Sequence, residues 1–501
     1  MDQLTALITT LNSYLWGNFC LVPLLCGAGL YFTLRLRFVQ VRKFGLAVKY
    51  TFGQLSFSGA KAGKDGMSSF QALATAVAAQ VGTGNVVGVA TALTMGGPGA
   101  LFWIWCAAFL GMATIFAEAV LAQTYKVRRP TGEITGGPAY YISEGLKCKP
   151  LAVFFSICII IALGMVGNSV QSNSIAESFH LAFGVNQLLV GVILAVISGL
   201  VFFGGTARLA SVTEKLVPIM AMCYIVGGLY ILATHAGMII PAFKMIIQGA
   251  FDPAAATGGI IGVTMKEAIR YGVARGLFAN EAGMGSTPHA HAQAKVNHPA
   301  EQGFVAIMGV FITTFMIITM TALIILTTGS LDGVTSGSAL TQKAFTTGLG
   351  SLGSPFVAVC IFFFAYSTII GWYFFAEQNV KYLFGNKPLP IFRCIDVLHN
   401  PRFHAEARPR MAARGLLQRN HGHPEPHRRH RTCQGRQQRP QRFRREGPAE
   451  GVAKTIGKIS YSENAPRLCG GRVFCTSFPQ IRAVSAAVCA RAGAASRSSP
   501  L

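Results

Sequence analysis

The stretch ATAVAAQVGTGNVVGVATAL, residues 74–93, decides the fold class. As a helix it is long enough to cross most of the ~30 Å hydrocarbon core of a bilayer, and both of its ends are apolar. Its centre, however, is occupied by Gln80, Gly82, Thr83, Gly84 and Asn85. Each glycine costs about 1 kcal/mol in a helix interior. The stretch therefore predicts a membrane helix that is interrupted in the middle, which lipid tolerates only where protein or a water-filled cavity covers the freed backbone.

Backbone groups freed at such a break can bind a ligand. N–H groups at the start of a half-helix attract a carboxylate, and free carbonyl groups attract a cation. The alternative interpretation is a close crossing of two helices through small residues. Gln80 and Asn85 favour binding, because polar side chains are costly additions to a simple packing contact.

A second interruption occurs in GVARGLFANEAGMGS, residues 272–286. Asn280 and Glu281 lie inside it, and a carboxylate within a membrane segment is a functional candidate. The alternative is a structural ion pair of Glu281 with Arg275 or Arg270. Two Gly-interrupted apolar segments in matching places of two halves are the best sequence indication of a transporter site.

The composition of the whole chain fits a membrane protein. Hydrophobic residues make up 51% of the chain and charged residues 12%, whereas soluble domains carry about 25% charged residues. This balance excludes a disordered chain and an ordinary soluble protein. Apolar runs of ~20 residues predict nine spans, at about 14–34, 69–94, 98–122, 151–176, 186–206, 212–234, 265–287, 304–328 and 355–380.

Basic residues cluster between alternate spans and so indicate the orientation. The loop between the first two spans is rich in Lys and Arg, and the loop between the second and third carries no charge. Basic loops stay on the cytoplasmic side. We therefore expect the N-terminus outside and the chain after the ninth span in the cytoplasm. The first ten residues, MDQLTALITT, lack the features of a cleavable signal peptide.

Further polar residues lie inside the predicted spans. Asn168, Gln171 and Ser172 share one face of the fourth span, which needs either a cavity or polar partners on other helices. In the ninth span, the adjacent hydroxyls of Ser367 and Thr368 suit a hard alkali cation together with carbonyl groups of a broken helix. Hydrogen bonding of both hydroxyls to their own helix is the alternative.

Six motifs, in order, resemble the alanine/glycine:cation symporter family, the sodium:alanine symporters. They are VGTGN (81–85), GGPGALFWIWCAAFLG (96–111), GGPAYYI (136–142), GNSVQSNS (167–174), GLFANEAGMGS (276–286) and GWYFFAEQ (371–378). The resemblance extends from about residue 10 to about residue 390.

The resemblance implies an all-α polytopic membrane protein in a bacterial-type plasma (inner) membrane. One extra N-terminal helix would precede LeuT-type inverted five-helix repeats. It implies symport of a small neutral amino acid, alanine or glycine, with Na⁺, or alternatively with H⁺. The residues expected to bind the substrate are Gln80, Gly82, Thr83, Gly84, Asn85, Gln171, Phe278, Asn280, Glu281 and Trp372, and those expected to bind sodium are Ser367 and Thr368.

Other functional classes lack support in the sequence. An enzyme would need a His–carboxylate pair or a metal box within the spans, and neither is visible. We therefore expect no catalytic residue, no cofactor, no metal besides Na⁺ and no nucleic-acid partner. An ion channel is a weaker alternative, because two broken helices could line a pore. Glu118, in the third span, is interpreted as a residue that pairs helices.

We divide the chain into five parts. They are an N-terminal span and basic loop (1–64), a first repeat of five spans (65–235), an external loop (236–264), a second repeat with three spans (265–392) and a basic tail (393–501). The tail holds 21 Lys and Arg against 6 Asp and Glu and has no apolar run of spanning length. We therefore expect that the last two helices that the resemblance implies are lost, and that the chain transports poorly or not at all.

The composition of the tail favours a reading-frame slip in a GC-rich gene, and the alternative is a basic tail that contacts anionic lipid or nucleic acid. Reading the DNA after codon 390 in the other two frames tests this. One of them should encode two more apolar runs of ~20 residues. If neither does, the slip is excluded and the tail needs a function of its own.

Overall fold

The computed structural model describes residues 21–53, 66–129, 132–252 and 263–397. The start of the first predicted span and the tail from residue 398 lie outside the described residues. The chain divides into two units, and the one described below comprises Met1–Glu144 and Cys148–Met411. Of the other unit, only Gly145–Lys147 are among the described residues.

The described unit is almost wholly helical. Helices α1 to α7 are Leu21–Arg35, Val39–Arg42, Phe44–Phe52, Ser69–Gln80, Val87–Gly96, Ala100–Thr124 and Pro138–Tyr140. Helices α8 to α13 are Lys149–Phe183, Gln187–Phe202, Gly205–Thr234, Ile239–Phe251, Met265–Asn280 and Pro288–Ala292. Helices α14 to α16 are Pro299–Thr327, Gly337–Leu349 and Gly353–Phe384, and residues 389–397 form α17. A small exception is the antiparallel pair of strands β1 (Val127–Arg128) and β2 (Ile134–Thr135).

Two of the long helices contain wider, π-helical turns. These turns are Ile160–Gly167 within α8 and Phe311–Ile318 within α14. Among the described residues, five helical segments are long and apolar enough to cross a membrane, and they are α6, α8, α10, α14 and the α15–α16 segment. The chain between α10 and α12 carries the short helix α11, half of which is exposed.

The second predicted span consists of two helices, as the sequence indicates. Helix α4 begins with a capping box, in which Ser68 Oγ accepts the Gln71 N–H at 3.0 Å and Gln71 Oε1 accepts the Ser68 N–H at 3.1 Å. The helix ends at Gln80, a 3₁₀ turn follows at Thr83–Asn85, and α5 then continues the span.

The seventh predicted span is interrupted in the same way. Helix α12 also begins with a capping box, here formed by Thr264 and Glu267. It ends where Glu281 takes a left-handed conformation with φ of 55°. Gly283 and Gly285 follow with φ of 85° and 76°, values that L side chains rarely adopt. The backbone stays irregular until the short helix α13.

The two interrupted spans run side by side in opposite directions. Before the first span, the Met67 N–H donates to Gln293 O at 3.1 Å, just after α13 ends. At mid-span, Gln80 Nε2 donates to Asn280 O at 2.8 Å. At the far end, a Cβ on Gly96 would lie 3.4 Å from Ala268 Cα, near the start of α12. The helix interruptions of both spans, called the first and second break below, therefore lie at the same level.

Helix α17 is packed against the rest of the unit. Phe392 is buried, and Asn168 Nδ2 of α8 donates to Asp396 Oδ1 at 3.4 Å. Arg393 Nη2 lies 3.4 Å from Glu377 Oε2 of α16. The predicted boundary between the second repeat and the tail, at residue 393, therefore falls inside this helix.

A buried lysine ties the end of α16 to the hairpin loop. Lys381 Nζ lies 2.6 Å from Glu133 Oε1 and 2.9 Å from Glu377 Oε1. Lys381 and Glu377 are 4% and 1% exposed, so little solvent is available to replace either partner. Removal of one partner of a buried pair leaves an uncompensated charge, which is strongly destabilising.

Lys381→Met should therefore lower the free energy of unfolding by about 3 kcal/mol, measured as a lower melting temperature in detergent. Lys343→Met is the matched control, because the Lys343–Asp332 pair is 48% and 34% exposed and should contribute under about 1 kcal/mol. Equal effects of the two substitutions would contradict the buried role of Lys381.

Candidate functional site

The first break, between the end of α4 and the start of α5, forms hydrogen bonds with polar side chains of other helices. Gln171 Oε1 of α8 accepts the Thr83 N–H at 3.2 Å. Asn85 Nδ2 donates to Thr313 O of α14 at 3.2 Å, in the π-helical turn. Thr321 Oγ1, about two turns further along α14, donates to Asn85 O at 2.9 Å. The break is thus a fixed structure rather than a loose loop.

Two backbone N–H groups at this break are not paired with another group of the described residues. Within the described residues, the N–H groups of Gly82 and Gly84 have no acceptor, whereas the neighbouring N–H groups of Thr83 and Asn85 do. Buried N–H groups are nearly always paired with protein or ordered water. The two unpaired donors stand on either side of the paired Thr83 N–H and can each donate to a bound partner.

Gly82 is also a point of close approach between helices. A Cβ on Gly82 would overlap the hydroxyl of Thr368 in α16, whereas one on Gly84 would lie 3.4 Å from Ala279. Close packing against Thr368 thus excludes a larger side chain at position 82, in addition to the requirement of the break itself.

The second break is centred on Glu281, which is 3% exposed. Its two oxygens accept hydrogen bonds from Trp372 Nε1 and from Ser286 Oγ, each at 2.5 Å. The alternative ion pair is wrong, because no ion pair of Glu281 with Arg270 or Arg275 occurs in the part of the chain that the structure describes.

Two aromatic rings stand beside Glu281. Phe278 and Trp372 meet edge to face, with ring centroids 6.2 Å apart and an interplanar angle of 81°. Trp372 is 3% exposed, and Phe278 is half-buried. The two rings therefore pack against each other beside the second break.

The paired hydroxyls of α16 lie against the end of α4. Ser367 Oγ is 3.1 Å from Ala78 O, and Thr368 Oγ1 is 3.0 Å from Ala78 O and 3.2 Å from Ala79 O. Both hydroxyls also lie within 3.1 Å of Phe364 O in their own helix. Hydroxyl and carbonyl oxygens are the ligands that hard cations prefer. Both hydroxyls therefore contact carbonyl groups of α4 as well as a carbonyl of their own helix, which the alternative of hydrogen bonding within α16 does not include.

The structure brings the predicted site residues together. Gln80, Asn280 and Glu281 meet between the breaks, Gln171 lies against the first break and Trp372 against the second. Asn168, which shares a helix face with Gln171, contacts Asp396 instead. All of the predicted side chains except the half-buried Phe278 are buried.

The sequence analysis missed one partner of the second break. Glu118 of α6, interpreted as a helix-pairing residue, accepts the N–H groups of Gly283 and Gly285. A signal was present, because Gly111, Thr114 and Glu118 are spaced three and four apart on one helix face.

Comparison with known proteins identifies the family. The family model described as sodium:alanine symporter family matches residues 1–400. The chain is 42% identical over 401 residues to "Sodium/alanine symporter AgcS" of Methanococcus maripaludis, which covers 78% of this chain and 86% of that protein.

Two relatives from Bacillus subtilis carry other printed names. One, at 41% identity and covering 75% of this chain and 78% of its own, is "Putative sodium/proton-dependent alanine carrier protein YrbD". The other, at 39% identity and covering 77% and 79%, is "Probable sodium/glutamine symporter GlnT". The match over most of both chains, together with the membrane-length helices, leads to one conclusion: this multi-pass membrane protein belongs to the sodium:alanine symporter family.

Proposed function

We propose that the chain carries a small neutral amino acid, alanine or glycine, together with Na⁺ across a bacterial-type plasma membrane. The observation that carries this proposal is the meeting of two antiparallel broken spans, with unpaired N–H donors at Gly82 and Gly84. Opposite directions of the two spans support LeuT-type inverted repeats, because an odd number of helices per repeat inverts the second one. The alternation of basic loops supports the N-terminus outside.

The substrate carboxylate is assigned to the first break. The free N–H groups of Gly82 and Gly84 lie at the start of the half-helix that leads into α5, where the helix dipole favours negative charge. The ammonium group is assigned to the second break, beside the Glu281 carboxylate. Phe278 and Trp372 limit the side chain to a small one, which favours alanine or glycine over glutamine.

The sodium ion is assigned to the oxygens shared by α4 and α16. Ser367, Thr368 and the carbonyl of Ala78 form the cluster, and each hydroxyl now donates to a carbonyl. A cation there would take up these carbonyl oxygens and the hydroxyl lone pairs, and would tie α4 to α16. Coupling to H⁺ is the alternative, and a channel is a weaker one, because the breaks are filled by buried, hydrogen-bonded side chains.

Binding and transport need separate measurements, because the tail leads us to expect poor transport. Purified protein should bind labelled alanine in a Na⁺-dependent manner. Ser367→Ala/Thr368→Ala should raise the half-saturating Na⁺ concentration about tenfold and leave alanine affinity at saturating Na⁺ nearly unchanged, which corresponds to ~1.4 kcal/mol. Counterflow in liposomes then tests transport, with glycine and glutamine as competitors. Alanine binding that is insensitive to Na⁺ would refute the assigned ion.

The two glycines of the first break allow a matched comparison. Gly82→Ala should push Thr368 away and weaken Na⁺ dependence and alanine binding together, because its Cβ would overlap that hydroxyl. Gly84→Ala should be tolerated much better, since its Cβ would lie at the ordinary distance of 3.4 Å from Ala279. Binding isotherms for alanine and Na⁺ measure both. Equal losses would mean that Thr368 is not the cause.

A further inference from the structure

The second break contains a carboxylate that the symport scheme does not use. Glu118 Oε2 accepts the Gly283 N–H at 2.9 Å, and Glu118 Oε1 accepts the Gly285 N–H at 3.1 Å. Both glycines have positive φ, which turns the two N–H groups to the same side. The N–H group of Met284, between them, donates to Glu281 O instead. Backbone N–H groups that converge on one point can bind an anion.

The face of α6 that carries Glu118 packs closely against residues 281–287, the irregular segment between α12 and α13. A Cβ on Gly111 would lie 2.9 Å from the Ala282 side chain, and one on Gly283 would lie 3.2 Å from Thr114. Gly111 thus lets the segment approach α6, and Glu118 then receives its donors one to two turns further along. Contacts at three successive positions on one face bind the segment to α6.

The partners of the Glu118 carboxyl group are the N–H groups of Gly283 and Gly285. In the chain as far as it is described, Glu118 forms no ion pair with Lys or Arg. Hydrogen bonds from N–H to a carboxylate are roughly twice as strong as neutral ones. The Glu118 carboxyl group and the turned segment at Gly283–Gly285 therefore stabilise each other.

We propose that Glu118 is a positioning residue that occupies the anion-binding backbone of the second break. By doing so it holds residues 281–287 in place for the substrate and leaves the first break as the anion receptor that remains free. This inference rests on the proposed function, because the molecule being positioned is the amino acid. A residue that merely pairs helices would contact a side chain of another helix, as Glu214 does with Gln71 Nε2 at 2.9 Å.

The test is chemical rescue of the purified full-length protein. Glu118→Ala removes the carboxylate and should weaken Na⁺-dependent alanine binding at least about tenfold, the loss of ~1.4 kcal/mol. Added sodium formate, compared at equal Na⁺ with sodium chloride, should restore most of the affinity, because a planar carboxylate can accept both N–H groups. Glu118→Gln should bind weakly and resist rescue, since its amide fills the space and places an NH₂ group against one donor. Glu214→Ala is the control that formate should not affect.

The outcomes separate this inference from the proposed function. Formate should also raise the melting temperature of Glu118→Ala in the absence of amino acid, a readout that does not depend on the substrate. Failure of the wild-type protein to bind alanine would overturn the proposed function alone. Wild-type affinity in Glu118→Ala, or a loss that formate restores in neither binding nor melting, would overturn the role of Glu118.

Discussion

Backbone groups without a helical partner are the constraint on which the structure depends. Each unsatisfied polar group in hydrocarbon costs several kcal/mol, and two spans are broken at the same level. Side chains from neighbouring helices supply the missing partners: Gln171 for Thr83, Glu118 for Gly283 and Gly285, and Gln80 for Asn280. Buried amide, hydroxyl and carboxyl side chains on α4, α6, α8 and α14 thus contact the two breaks.

The two broken spans are built from matching local signals. Each begins with a capping box, Ser68 with Gln71 and Thr264 with Glu267, and each then runs to a polar residue that faces its counterpart. A capping box satisfies backbone donors at a helix start without help from distant residues. The first helix of each broken span therefore has a defined start of its own, and the contact between Gln80 and Asn280 follows from the length and opposite directions of these two helices.

Local features were predictable from the sequence, whereas partners distant in sequence were not. Glycines and amide side chains within apolar runs predicted both breaks, because the free-energy cost of a glycine inside a helix depends only on local structure. Of the two partners of Glu281, Ser286 is five residues away, whereas Trp372 is 91 residues away and was not predictable. The role of Glu118 depends on donors 165 and 167 residues away. Periodicity could have placed Glu118 on a shared face with Gly111, but not against a particular backbone.

The two breaks differ in which of their backbone N–H groups are already paired. Both breaks expose backbone N–H groups, and either could attract a carboxylate. At the second break, Glu118 already fills that role, and Glu281 adds a further negative group close by. At the first break, by contrast, the contacts to other helices come from neutral amides and hydroxyls. In the symport that we propose, acidic side chains lie at one break and free N–H groups at the other, which gives a zwitterionic amino acid one favoured orientation.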